Sequence, residues 1–159
     1  MTFVVPKFLK NCILRDFTKE DAESLANIEY DLVVKQYVGG GQPAMPRNDG
    51  VREVECDPSR LRGWAIEVIP EHVLAGRASL SKMQPASPGT VELQIAIAQS
   101  FWGRRLGRQV VAALMQYFFS DPRAIAVIAE VHPENRASLR LLDAFNFIDT
   151  QLGAILSNC

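Results

Sequence analysis

The stretch Val91–Phe119, VELQIAIAQSFWGRRLGRQVVAALMQYFF, constrains the fold more than any other part of this 159-residue chain. Its first half alternates: Val91, Leu93, Ile95 and Ile97 fall on one face of a strand, with Glu92 and Gln94 on the other. The alternation stops at Gln99-Ser100. A compact patch, Gly103 to Arg108, then opens a helix in which Leu106, Val110, Leu114 and Tyr117/Phe118 recur at helical spacing. A strand that turns sharply into a helix presents unpaired backbone N–H groups at the positive end of the helix dipole, a setting that suits phosphate oxygens. Arg104, Arg105 and Arg108 lie in this turn, and no acid occurs between Gln99 and Ser120. Cations there oppose the dipole, a conflict that a bound anion offsets. The plain alternative for these arginines is a solvated helix face.

The rest of the chain arranges itself around this unit. Cys12–Phe17 reads as a first strand, and Thr18-Lys19-Glu20-Asp21 as a capping box before a helix carrying Ala22, Leu25, Ala26 and Ile28. Residues 31–62 hold Gly39-Gly40-Gly41, Pro43, Pro46, Asn48-Asp49-Gly50 and Asp57-Pro58, and read as an irregular loop with a short helix near Val51–Cys56. Gly63–Ile69, Leu74–Met83 and Thr90–Ala98 form three strands joined by short turns, with Gly76 marking a bulge or close approach. Ala124–Val131 is almost wholly apolar, as a central strand would be. A helix follows from Pro133-Glu134-Asn135 with Leu141, Leu142 and Phe145 inward, and Phe147–Leu156 supplies one closing strand. The order β-α-loop-β-β-β-α-β-α-β predicts a mixed α/β single domain over 1–159, an antiparallel meander continued by a crossover. Neither GxGxxG nor GxxxxGK[ST] occurs, which excludes dinucleotide and P-loop readings.

Bulk properties narrow the partners. With 17 Lys+Arg against 18 Asp+Glu, the net charge of −1 offers nothing global to nucleic acid. Cys12, Cys56 and Cys159 are far apart and without CxxC, so neither a disulfide framework nor a metal site is expected. No apolar run approaches a membrane span and the N-terminus lacks a signal-peptide pattern, so a cytoplasmic location is expected.

Several segments resemble the GNAT superfamily of acyl-CoA-dependent N-acetyltransferases, most of all its ribosomal-protein alanine/serine N-acetyltransferase branch. They are Leu14-Arg15-Asp16-Phe17-Thr18-Lys19-Glu20-Asp21, the run Val91-Glu92-Leu93 through Phe101-Trp102-Gly103 to Leu106-Gly107, and His132-Pro133-Glu134-Asn135-Arg136-Ala137-Ser138 followed by Leu141-Leu142 and Phe145-Asn146-Phe147. The resemblance implies an acyl-CoA N-acyltransferase fold, its twisted mixed sheet splayed between the fourth and fifth strands. It also implies acetyl-CoA as co-substrate, a primary amine as acceptor and no metal.

In this chain the resemblance places the pyrophosphate against Gly103, Arg104, Arg105, Leu106, Gly107 and Arg108. The pantetheine arm would run along Ile95, Ala96 and Ile97, with Asn135 and Ser138 on its other side. Glu92 is the first candidate for the base that takes the amine proton, and Glu130, expected on the central strand, the second. The chain departs from the family pattern in four ways. Arg105 stands at the usual central glycine, where helical φ/ψ would tolerate it, and Asn146 at another glycine. Leu142 stands at a position often held by a tyrosine acid. Few residues follow Phe147, which implies a short or missing last strand and an exposed edge that a second copy could cover. These departures keep a non-catalytic acyl-CoA-binding or regulatory domain open as the alternative.

Overall fold

The computed structural model describes residues 8–31, 60–82, 88–150 and 153–157. They build a seven-stranded sheet. In chain order the elements are β1 (Cys12–Arg15), α1 (Asp21–Tyr30), β2 (Arg60–Val68), β3 (Val73–Lys82), β4 (Thr90–Ile97), α2 (Leu106–Phe119), β5 (Ala126–Ala129), α3 (Arg136–Ala144), β6 (Ile148–Thr150) and β7 (Gly153–Ser157). The strands lie in the order β1-β2-β3-β4-β5-β7-β6. β1 to β4 form the expected antiparallel meander, whereas β5 runs parallel to β4 because α2 carries the chain back across the sheet.

The β4–β5 ladder is short: Thr90 pairs with Ala126, Val91 with Val127 and Glu92 with Ile128. On its other edge β4 stays paired with β3 as far as Ile97, opposite Gly76. Among the described residues β4 therefore has no paired neighbour on the β5 side from Leu93 onward, which is the expected splay between the fourth and fifth strands.

Helices cover both faces. Val91 and Leu93 share a core with Leu106, Val110, Val111 and Leu114 of α2, while Leu25 and Ile28 of α1 pack against Ala65 and Ala96 on the opposite face. Each large apolar side chain buried in this way is worth about 1.5–3 kcal/mol. Packing rather than propensity thus holds α2, whose sequence contains two valines and a Tyr-Phe-Phe run.

Four expectations need correcting. The capping box is half formed: Thr18 N–H donates to Asp21 Oδ2 at 2.8 Å, but the helix starts at Asp21 with no side-chain cap from Glu20. β2 begins at Arg60, so the loop expected over 31–62 is shorter, and its residues 32–59 lie outside the described ones, as does the helix expected at 51–56. The apolar run Ala124–Val131 yields a strand only over Ala126–Ala129. Finally, Phe147–Leu156 is not one closing strand. It divides into β6 and β7, and β7 inserts between β5 and β6, so the last strand is not missing and the outer edge belongs to β6. No Asn-Gly or Asp-Gly pair signals the reversal, so a period-two pattern cannot reveal it.

An ion-pair network ties β1, α1 and β2 together. Arg15 grips Asp21 with two bonds of 2.7 and 2.8 Å, and its Nε donates to Glu67, which also meets His72 Nδ1 at 2.8 Å. Burial pushes the Asp21 carboxyl up, but the Arg15 guanidinium and the Thr18 N–H outweigh it and leave the group below its ordinary value. His72 and Arg15 lower Glu67 likewise. Folded values below the unfolded ones mean stability that is complete above the unfolded carboxylate range and lost as pH falls through the folded values. Denaturant titrations should therefore show stability falling below about pH 4. Asp21→Asn should lower stability at pH 7 by about 2 kcal/mol or more while flattening that acid limb. An unchanged acid limb in the variant would remove Asp21 from the account.

Candidate functional site

The site grows from the end of β4. After a short 3-10 turn, Gln99–Phe101, the chain passes through Trp102 and Gly103 and enters α2 from Arg105. Gly103 has φ +82°, and a Cβ built on it would touch nothing within 4 Å, so conformation alone calls for glycine there. Arg105 does not have the helical φ/ψ at which it would be tolerated without cost. It is left-handed, φ 59° and ψ 25°, a conformation that costs a non-glycine residue about 1 kcal/mol. As the N-cap it offers no side-chain bond, and no acid lies in the first turn. The first helical bond runs from Gln109 N–H to Arg105 C=O. The N–H groups of Leu106, Gly107 and Arg108 therefore precede any intrahelical acceptor.

These residues border a cleft of about 580 Å³ that opens where β4 and β5 part. Ile95, Ala96 and Ile97 form one wall. Ala98 N–H bonds to Ala75 C=O on β3, so by alternation the backbone groups of Ile95 and Ile97 point to the open side. Gly103, Arg105, Leu106, Gly107 and Arg108 form the second wall, and Asn135, Ser138 and Leu141 contribute to the third. Asn135 caps α3 by accepting from Ser138 N–H at 3.1 Å. Two helix N-termini thus face one cleft. Gly107 serves close packing, since a Cβ there would sit 3.2 Å from Leu141 Cδ2 and 3.8 Å from Ile97 Cδ1.

Other expected residues fall elsewhere. Arg104 turns away from the cleft, pairing with Glu71 at 2.7 Å and lying 5.2 Å from the centre of the Phe101 ring. It braces the β2–β3 turn. Glu92 is half-buried on the α1 side of β4, off the cleft wall, and accepts from Gln94 Nε2 at 3.3 Å. Glu130 is not buried on a central strand but exposed, one residue beyond β5. Leu142 is buried in the main core, and Tyr117 packs edge-on against Trp64.

The sequence reading missed two features of the cleft. Trp102 lines it and donates its indole N–H to Ile97 C=O at 2.8 Å, meeting a carbonyl expected to serve the pantetheine arm. Arg136, at the start of α3, adds a further guanidinium to the lining. The one available signal was its place beside Asn135. Among the described residues, no group of three or more His, Cys, Asp or Glu side chains could hold a metal ion, and no helix is long and apolar enough to cross a membrane.

A mixed sheet split between two parallel strands, with helix N-termini at the split, is the architecture of the acyl-CoA N-acyltransferases. Residues 11–148 match the family model described as an acetyltransferase (GNAT) domain, and the chain belongs to that family. A comparison with curated protein sequences finds no match. Solved structures share the fold. A GNAT-family acetyltransferase from Bacillus anthracis aligns with a TM-score of 0.73 at 16% identity, covering 94% of this chain and 96% of that one. The ribosomal-protein-S5-alanine acetyltransferase of Vibrio fischeri aligns at 0.74 and 15% identity, covering 95% of each. A spermidine N-acetyltransferase from Vibrio cholerae, in complex with CoA and spermine, aligns at 0.72 and 17% identity, covering 91% and 92%. The last two have different acceptors in their names, and no single branch of the family stands out.

Proposed function

We propose that this protein transfers an acetyl group from acetyl-CoA to a primary amine, either a protein N-terminus, as the resemblance to the ribosomal-protein branch implies, or a small amine. The observation that carries the reading is the meeting of two helix N-termini, those of α2 and α3, against the unpaired edge of β4. The free N–H groups of Leu106, Gly107 and Arg108 suit a pyrophosphate, and the Arg105 and Arg108 guanidinium groups add charge-assisted contacts. Arg104, engaged with Glu71, adds none. The open backbone groups of Ile95 and the N–H of Ile97 pair with the pantetheine arm as an added strand would, past Ala96, while Asn135 and Ser138 bound the arm on the α3 side.

Acetyl-CoA supplies an activated thioester, so the protein's work is to hold the amine against it and accept a proton. Glu92, half-buried on the face opposite α2, takes that proton through water, and Glu130 is the second carboxylate near the split. Calorimetric titration tests this reading: acetyl-CoA and CoA should bind and raise the melting temperature, with ATP as control. No stabilisation at saturating acetyl-CoA would overturn it. Arg105→Gly should weaken CoA binding about tenfold while leaving the fold as stable or more so, because glycine relieves the left-handed strain. Unchanged affinity in that variant would leave the backbone as the sole anion site.

One observation favours a non-catalytic acyl-CoA-binding domain as the second reading. Leu142 lies in the core and Tyr117 against Trp64, so neither offers an acid to a departing thiolate. Tight CoA binding with no turnover of any amine would select that reading; measurable transfer excludes it.

A further inference from the structure

The turn that leads into α2 is tied down from outside the cleft. Asn11, the residue before β1, donates its backbone N–H to Gln109 Oε1 at 2.9 Å, and Gln109 Nε2 donates in turn to Arg105 C=O at 3.4 Å. The Asn11 side-chain amide reaches Arg104 C=O, also at 3.4 Å, while Arg104 Nη1 bonds to Glu71 Oε1 at 2.7 Å. Asn11 is itself anchored, since its C=O accepts from Ile69 N–H at 3.1 Å. The two long contacts are weak singly, but the shorter bonds fix where their donors stand. Arg105 lines the cleft, whereas Asn11 and Gln109 stand outside its lining.

We infer that Asn11 and Gln109 are positioning residues for the cofactor anion: they hold Arg105 in its left-handed conformation and so aim its guanidinium at the pyrophosphate. The inference rests on the acetyl-CoA binding proposed above. Peptide planarity carries the first step. Arg104 C=O belongs to the rigid plane before the Arg105 Cα, and Arg105 C=O to the plane after it, so tying both carbonyls fixes the one φ and the one ψ between them. The residue type carries the second. Glycine enters the left-handed region without strain, whereas an arginine stays there only where its surroundings over-determine it. With the ties removed, Arg105 relaxes toward negative φ, the two planes turn, and the side chain leaves its aim. A tie that served only the stability of α2 would do the same for a glycine as for an arginine. One that aims a guanidinium matters only while the arginine is present.

That difference is measured by a double-mutant cycle on the full chain, with CoA as the titrant in calorimetry and thermal unfolding to show that each variant is folded. Gln109→Leu removes both side-chain bonds at nearly constant volume and should raise the Kd for CoA on the order of fivefold. The same change in an Arg105→Gly background should alter Kd by less than about twofold. Added salt should also weaken CoA binding less in Gln109→Leu than in the unmodified chain, because one charge has left the contact. Should Gln109→Leu fail to fold, Asn11→Ala enters the same cycle with the same expected pattern; it spares the backbone N–H and removes only the bond to Arg104 C=O. An equal or larger loss in the glycine background, or no loss in either, overturns the assignment and leaves the cofactor reading standing. So does an Arg105→Gly variant that binds CoA as tightly as the unmodified chain, since no guanidinium contact then exists to be aimed. No binding of CoA by the unmodified chain overturns both.

Discussion

Gly76→Ala should lower stability by about 3 kcal/mol or more, a loss of about 8 °C in melting temperature for a chain of this size. A Cβ at this position would lie 2.1 Å from the Ala96 carbonyl oxygen and 3.0 Å from Ile97 Cα. Both are backbone atoms of the neighbouring strand, so no side chain can swing aside. Relief requires β3 and β4 to part. Gly76 also adjoins a bulge: the β2–β3 register shifts between Ile66 and Glu67 and leaves Ala75 unmatched. Gly103→Ala is the control. Its added Cβ meets nothing, so it costs only the left-handed penalty of about 1 kcal/mol. Thermal and denaturant unfolding of the two variants side by side separate the causes. Equal losses would show that close approach at Gly76 carries no special weight. The damage should also be local, since the strands part where the wall formed by Ile95 and Ile97 faces the cleft, and acetyl-CoA affinity should fall along with stability.

Glu92→Gln should reduce kcat by about 100- to 10,000-fold, the usual contribution of a positioned general base, with little change in acetyl-CoA binding. The substitution keeps the shape of the side chain and still allows a hydrogen bond to Gln94, so its effect isolates the ability to take a proton. Glu92 is suited to the role because it stands on a paired strand immediately before the ladder to β5 ends, on a sheet face separate from the cofactor cleft. Glu130→Gln is the companion variant. Its carboxylate is exposed and outside the strand, and the change should alter kcat by less than about threefold. Single-turnover kinetics at saturating acetyl-CoA measure both. Full turnover in Glu92→Gln would remove it as base, and a large loss in Glu130→Gln would transfer the role.

The strand, turn and helix around residues 91–119 were legible because the hydrophobic period changes from two to 3.6 within a few residues, and only one connection satisfies both halves. Asn146 was legible too. It stands where a left-handed residue is needed, and it adopts φ 62° after α3. Arg105 was not legible, because an arginine gives no local signal for left-handed geometry and the surrounding turn imposes it. Nor could sequence separate Arg104 from Arg105. They are adjacent and identical in type, and the turn sends one to Glu71 and the other to the cleft. The buried polar residues of β3, Arg77, Ser79 and Ser81, escaped for a different reason. In a strand buried on both faces, serines read as neutral filler until the pairing shows what stands opposite each of them.

The position of β7 has a consequence for biosynthesis. Ala126–Ala129 of β5 pair with Ala154–Ser157, which the ribosome delivers after every other described element. A nascent chain that has emerged only as far as β6 would hold the meander and the three described helices, yet one edge of β5 would still be bare and β6 would have no strand to join. That edge is a short apolar ladder open to neighbouring nascent chains. The sheet therefore closes from within and late: the residue run that completes it is a keystone.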